Sequence, residues 1–168
     1  VIVLFDMIRK LNIRSDGINI NITKDGTKNI ESWLAAPGGV YPLCFHIPYF
    51  EHQFMKDIFS SIDNKSELLN KAYSFEEKES FFTYLYSNTD FRTLPEERKQ
   101  LVLNARTWEV SIAFAKNMAL SLHSYSGIIF TQDENEILKR FAKVFEQSYT
   151  RFLDLQKAEA QARESQIE

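Results

Sequence analysis

The chain predicts an α+β domain: an antiparallel sheet of about five strands flanked by helices and left by a long C-terminal helix. Three observations carry this. Short segments with two-residue alternation of apolar and polar side chains lie between turn-forming residues. Between the third and fourth of these the period becomes helical across residues 50 to 104. From Thr131 to Glu168 there is neither Gly nor Pro, and the stretch reads as one helix, about 55 Å long at 1.5 Å per residue.

Residues 1–13 (VIVLFDMIRKLNI) are apolar at Val1, Leu4, Phe5, Ile8 and Leu11, with Asp6, Arg9 and Lys10 between them, which fits an amphipathic first helix. Ser15-Asp16-Gly17 breaks it. GININIT (17–23) sets Ile18, Ile20 and Ile22 against Asn19 and Asn21, a strand with one apolar and one polar face. Asp25-Gly26 signals a hairpin turn, and 27–36 (TKNIESWLAA) reads as the returning strand. After Ala36-Pro37-Gly38-Gly39, residues 40–49 (VYPLCFHIPY) alternate again. Pro42 and Pro48 on one side cannot donate to a ladder and make this an edge strand.

FEHQFMKDIFSSI reads as a helix with Phe54, Ile58 and Phe59 inward, followed by a less regular stretch and a second helix, FEEKESFFTYLYS. A third starts near Leu94-Pro95-Glu96-Glu97, with Pro in the first turn, and runs to about Asn104. Residues 107–115 and 118–126 alternate, and Lys116-Asn117 between them fits a two-residue hairpin.

Thr131 and Glu134 have the spacing of a capping box at the start of the last helix, with Asp133, Glu134 and Glu136 at its positive end. Steps of three and four from Leu138 give Phe141, Phe145, Ser148, Phe152 and Leu155, a mostly apolar seam. The same steps then reach Glu159, Ala162 and Gln166, so the face fades after Leu155. Two readings follow: a frayed, solvated end, or half of a parallel helix pair leading to a further domain. The division is 1–155, a regulatory domain that includes the N-terminal helix 1–13, and 156–168, the start of a linker helix. An opening on Val1 and an uncapped end at Gln166-Ile167-Glu168 fit a segment of a longer polypeptide.

Composition excludes several classes. At 168 residues with 44% apolar side chains and 14 Phe, the chain has ample material for one core. A formal charge of -3, without clustered Lys and Arg, argues against a nucleic-acid binder. The single Cys44 excludes an internal disulfide framework and a multi-cysteine zinc site. No stretch approaches the ~20 apolar residues of a membrane span, and no signal peptide is visible, so a cytoplasmic location is expected.

The order helix, three strands, three helices, hairpin and long helix, over roughly Ser15 to Leu155, resembles a GAF domain, the sensory relative of the PAS domain. The exit segment 126–168 (SGIIFTQDENEILKRFAKVFEQSYTRFLDLQKAEAQARESQIE) is similar to the joint between GAF-like sensors and kinase or cyclase modules in bacterial signalling proteins of the Bacteroidetes type. The resemblance implies a GAF-like sheet of order 2-1-5-4-3, first and last helices on one face forming a homodimer, and a ligand pocket on the other. It implies a non-catalytic sensory domain of a two-component histidine kinase. A downstream output domain would lie in the same chain, and a change of ligand or partner would pass along the last helix. Leu4, Ile8, Leu138, Phe141, Phe145, Phe152 and Leu155 would form the dimer and signalling face.

The family's chemical motifs are not matched. Asn64-Lys65 is followed by Ser66-Glu67-Leu68 rather than the Asn-Lys-Phe-Asp-Glu pattern of cyclic-nucleotide binders. Cys44 is followed by Phe45, where bilin-binding members have His, and the methionine sulfoxide reductases of this fold need more than one cysteine. Cys44, His46 and His52 lie close in sequence but lack paired ligand spacing, so no metal site is assigned, and Cys44-His46 has no orienting acid for nucleophilic catalysis. No enzyme and no particular cofactor is indicated. A small-molecule pocket would lie between the sheet and the helices of residues 50–105, with Trp33, Tyr41, His46, Tyr49, Phe54, Phe82, Tyr86, Trp108 and His123 as candidate walls. The alternatives are a dimerisation or interaction module whose rings fill the core, and a GAF domain attached to a nucleotide cyclase.

Overall fold

A computed structural model describes residues 2–24, 26–36 and 39–167, with side chains described from residue 6 onward except for 39–43. The elements are α1 (Ile2–Lys10), β1 (Gly17–Thr23), β2 (Ile30–Ala36), β3 (Gly39–Ile47), α2 (Gln53–Asp63), β4 (Leu68–Tyr73), α3 (Phe75–Asn88), a 3₁₀ turn (Asp90–Thr93), α4 (Glu96–Asn104), β5 (Trp108–Ala115), β6 (Met118–Ser124) and α5 (Gln132–Ile167). The six strands form one sheet of order β3-β2-β1-β6-β5-β4, and every neighbouring pair is antiparallel.

The sheet has six strands rather than five. Residues 68–73, read from sequence as irregular, pair with β5, and β2-β1-β6-β5-β4 then gives the order 2-1-5-4-3. LLNKAY hid this strand because it does not alternate and contains Asn, Lys and Ala, which have little intrinsic strand preference. The Gly39–Ile47 strand is an edge, as expected, but lies beside β2 at the opposite edge from β4. Its exposed backbone is partly closed by Asp90, whose carboxylate accepts from the His46 N–H at 3.0 and 3.1 Å. β2 begins at Ile30 rather than Thr27, after a loop in which Gly26 takes φ +80°.

Alternation along the strands sorts the side chains into two layers. Ile18, Ile20 and Ile22 of β1, Leu120 and Leu122 of β6 and Ala113 of β5 pack with Ile8 of α1 and Leu138 and Ala142 of α5. On the other face Leu34, Phe45, Val110 and Ile112 pack with Phe54, Met55, Phe81, Phe82 and Leu85 of α2 and α3 and Val102 of α4. The molecule is therefore a three-layer sandwich. Trp108 centres the second layer, with ring centroids 4.7 Å from Phe54 and Tyr73 and 5.1 Å from Phe82.

α5 starts as its sequence requires: Glu134 N donates to Thr131 Oγ1 at 3.2 Å, and Thr131 N donates to Glu134 Oε1 at 3.1 Å. Its first half lies on β5 and β6, and Ser111 of β5 donates to the Asn135 side chain at 2.5 Å. From Thr150 to Ile167 every residue is exposed. No helix among the described residues is long and apolar enough to cross a membrane.

Candidate functional site

A cavity of about 510 Å³ lies between the sheet and the layer of α2, α3, the 3₁₀ turn and α4, within the range of small-molecule pockets. Its floor is the polar face of β1. Asn19 and Asn21 point toward this layer, because the isoleucines between them are taken by α1 and α5. Asn19 Nδ2 donates to Ser32 Oγ at 2.9 Å, and Asn21 Nδ2 donates to Ser121 Oγ at 2.7 Å. Both amide oxygens lack a hydrogen-bond partner among the described residues and remain available as acceptors along a wall that is otherwise largely apolar. A central strand normally turns apolar side chains toward a covering helix layer, so a row of one buried and one half-buried amide marks a surface built for polar contact.

One end of the cavity carries a second cluster of polar groups. Gly17 pairs with His123 in the β1–β6 register, which brings the start of β1 beside His123, Tyr125, Tyr86 and Arg98. Arg98 reaches in from the first turn of α4: Nη1 donates to the Asp16 carbonyl at 2.9 Å, and the guanidinium lies 5.5 Å from the Tyr125 ring centre. A Cβ on Gly17 would stand 2.9 Å from Arg98 Nη2, so the glycine makes room for the cation. The Asp16 carboxylate is turned away to accept from Tyr125 N at 2.7 Å and Ser126 Oγ at 2.8 Å. Arg98 forms no ion pair among the described residues.

His123 is held neutral. Burial, reinforced by repulsion from Arg98, pushes its pKa down to about 3. Its Nδ1 accepts from Trp108 Nε1 at 3.2 Å, which leaves the ring proton on Nε2. Burial likewise pushes the Tyr86 and Tyr125 hydroxyls well above their ordinary range, so both are neutral donors.

The roof is fastened at three points. His52 caps α2, its Nδ1 accepting from Phe54 N at 3.0 Å while Nε2 donates to the Glu77 carbonyl at 2.8 Å, and burial lowers its pKa. Asp57 of α2 accepts from Lys71 Nζ at 2.8 Å and Tyr73 Oη at 2.7 Å, fixing α2 to β4. Burial pushes the Asp57 carboxyl up, but hydrogen bonds from Lys71, Tyr73 and Gln53 outweigh it and hold the carboxyl below its usual value. Lys78 of α3 is fully buried, and its ammonium donates to the carbonyls of Val102 at 2.6 Å, Leu103 at 2.8 Å and Ala105. These are the last carbonyls of α4, where positive charge complements the helix dipole. Lys78 thereby sets the helix that carries Arg98.

Of the sequence candidates, Phe54, Phe82, Tyr86 and His123 line the cavity. Trp108 lies behind them, fully buried against His123. Tyr49 packs outside on Phe59, with Lys28 Nζ 4.8 Å from its ring centre. Trp33 sits on the opposite face of the sheet, by the strand alternation of β2. His46 is exposed and lies 3.0 Å from Asp90 Oδ2, on a separate groove near the β3 edge. The side chain of Tyr41 lies outside the described residues. Cys44 is half-buried, with a thiol that burial pushes up, and no group of three or more His, Cys, Asp or Glu among the described residues is placed to hold a metal ion.

On the helical face, Ile8 and Leu138 are fully buried within the chain's own core and present nothing to a partner. Phe141 and Phe145 are half-buried, Phe152 and Leu155 are 53% and 60% exposed, and the side chain of Leu4 lies outside the described residues. Sequence reading passed over Asn19, Asn21, Gly17, Tyr125 and Arg98. GININIT signalled a polar face, but nothing in it says that helices cover that face. Arg98 sits in a charged helix, EERKQLVLN, that reads as surface.

No family model matches the chain, and no curated protein matches it. Among solved structures, the chain is similar to the GAF domain of a two-component sensor histidine kinase from Bacillus halodurans. The identity is 16% and the TM-score 0.49, over 89% of this chain and 95% of that one.

Proposed function

We propose that the chain is a non-catalytic sensory domain of GAF-like architecture that binds a small molecule in the cavity between the sheet and α2–α4. The observation that carries this reading is the amide row of buried Asn19 and half-buried Asn21, whose free oxygens face a cavity of about 510 Å³. His123, Tyr86 and Tyr125 serve as neutral donors or acceptors, and with the Arg98 cation they form no nucleophile, base and acid set. The sheet supplies the route outward. Ser121 and His123 of β6 face the cavity while Leu120 and Leu122 between them pack in the α5 layer, so a shift of these strands reaches α5 directly. A bound ligand would bias the seat of α5, whose exposed far half would pass that bias to a second copy and to an output module such as a histidine kinase.

Methyl-labelled methionine provides the test. Met55 is fully buried and lines the cavity, whereas Met7 is exposed on α1. Titration with neutral indole is expected to shift the Met55 methyl signal, leave Met7 unmoved and alter amide exchange in the first half of α5. An unmoved Met55 at saturating indole, or equal shifts at both methionines, would overturn the ligand-binding reading.

A further inference from the structure

We propose that the Arg98 end of the cavity receives the carboxylate of an aromatic acid whose ring lies over the Asn19–Asn21 floor and donates to it. This rests on the reading of the cavity as a ligand site and adds its chemical class. The anion follows from Arg98. Its guanidinium is half-buried, makes no ion pair among the described residues, and spends one N–H on the Asp16 carbonyl. The remaining edge of the planar fork is suited to a carboxylate. Gly17 is the supporting observation: a Cβ there would stand 2.9 Å from Nη2, so the bare Cα lets the guanidinium lie against the start of β1 at this end of the cavity. Tyr86 and Tyr125, which line the same end, add neutral hydroxyls that can donate to the anion without competing for its charge. Placing a second acid beside Asp16 is tolerable because the Asp16 carboxylate is already held by Tyr125 N and Ser126 Oγ.

The body of the ligand follows from the two walls. Phe54, Phe81, Phe82 and Phe91 on the roof offer ring faces and edges. The floor offers two amide oxygens that lack donors. A planar ring with an N–H or O–H on its edge satisfies both, whereas a plain alkyl chain leaves the amides unmatched. A single guanidinium at this end also favours one negative charge over a phosphate dianion, whose second charge would lack a partner there.

The test is a charge series on one ring: indole-3-acetate, its neutral alcohol tryptophol and its cationic amine tryptamine, each titrated calorimetrically and followed at the Met55 methyl. Indole-3-acetate is expected to bind about tenfold more tightly than tryptophol, from a charge-assisted against a neutral contact, with tryptamine weakest. Naphthalene-1-acetate, which lacks the ring N–H, should bind more weakly than indole-3-acetate. Arg98→Met should bring the ratio of acetate to tryptophol affinity near one. Gly17→Ala should do the same by displacing Nη2, its one close contact; Leu34 Cδ1 at 3.7 Å and the Ala35 carbonyl at 4.0 Å are at ordinary van der Waals distance, so the fold survives it. Tryptophol or tryptamine binding as tightly as the acetate, or an acetate preference that survives both substitutions, would overturn the carboxylate assignment while the cavity still binds indole. If neutral indole itself fails to shift Met55, the ligand-binding reading falls instead.

Discussion

At the scale of single residues, two imidazoles are used as hydrogen-bond acceptors. His52 Nδ1 accepts from the backbone of Phe54 and His123 Nδ1 accepts from the Trp108 indole, so neither can take up a proton without losing a bond. Both pKa values fall below 6.5, that of His123 to about 3. A lowered pKa means that the unfolded chain binds protons the folded chain refuses. The folded state should therefore have full stability above the unfolded value, and lose it as pH falls through 6.5 toward 3. One such imidazole contributes a slope of at most about 1.4 kcal/mol per pH unit. Urea unfolding midpoints between about pH 7 and pH 5 should fall steadily, and His123→Asn should flatten that slope. A midpoint unchanged across this window would show that the imidazoles protonate in place.

At the scale of elements, the roof depends on one helix capping another. The three Lys78 donors meet the converging carbonyls of Val102, Leu103 and Ala105, which satisfies the end of α4 from within α3. Lys78→Met should cost about 2–3 kcal/mol through unsatisfied carbonyls and speed amide exchange in α4 more than in α2. Lys78→Arg should not restore it, because a flat fork cannot aim at three converging acceptors. Uniform loss of protection across all helices would mean that Lys78 acts through general packing. The helices themselves were legible in sequence: the seam of Leu138, Phe141 and Phe145 and the Thr131–Glu134 cap give α5, and Phe54, Ile58 and Phe59 give α2. β4 was not, because an edge strand needs neither alternation nor β-branched residues when its pairing with β5 supplies the order.

At the scale of the whole molecule, α5 does two things. Its first half completes a core, and its second half, bearing Phe152, Leu153 and Leu155 with 44–60% of their surface exposed, consists of exposed residues from Thr150 to Ile167. If this half pairs with a second copy, sedimentation of the wild-type chain should show concentration-dependent dimers, and Phe152→Ser with Leu155→Ser should give a monomer. The thermal midpoint of the dilute, dissociated chain should then shift by less than a degree or about that much, as expected for exposed positions. A monomer at every concentration in the wild type would remove this half of the helix as a pairing surface.

What the sequence determined by itself is what depends on neighbours along the chain: periods of two and of 3.6, caps and turns, and therefore the fold class and the long exit helix. Tertiary structure decided what depends on which layers meet. It turned the asparagine face of β1 inward under a helical roof, drew the isoleucine face onto α5, and buried Ile8 and Leu138 that the apolar seam had offered to a partner. It also brought Arg98 next to Gly17, far away in the chain. A local pattern fixes the two faces of a strand, but only the packing of the other elements fixes what each face will meet.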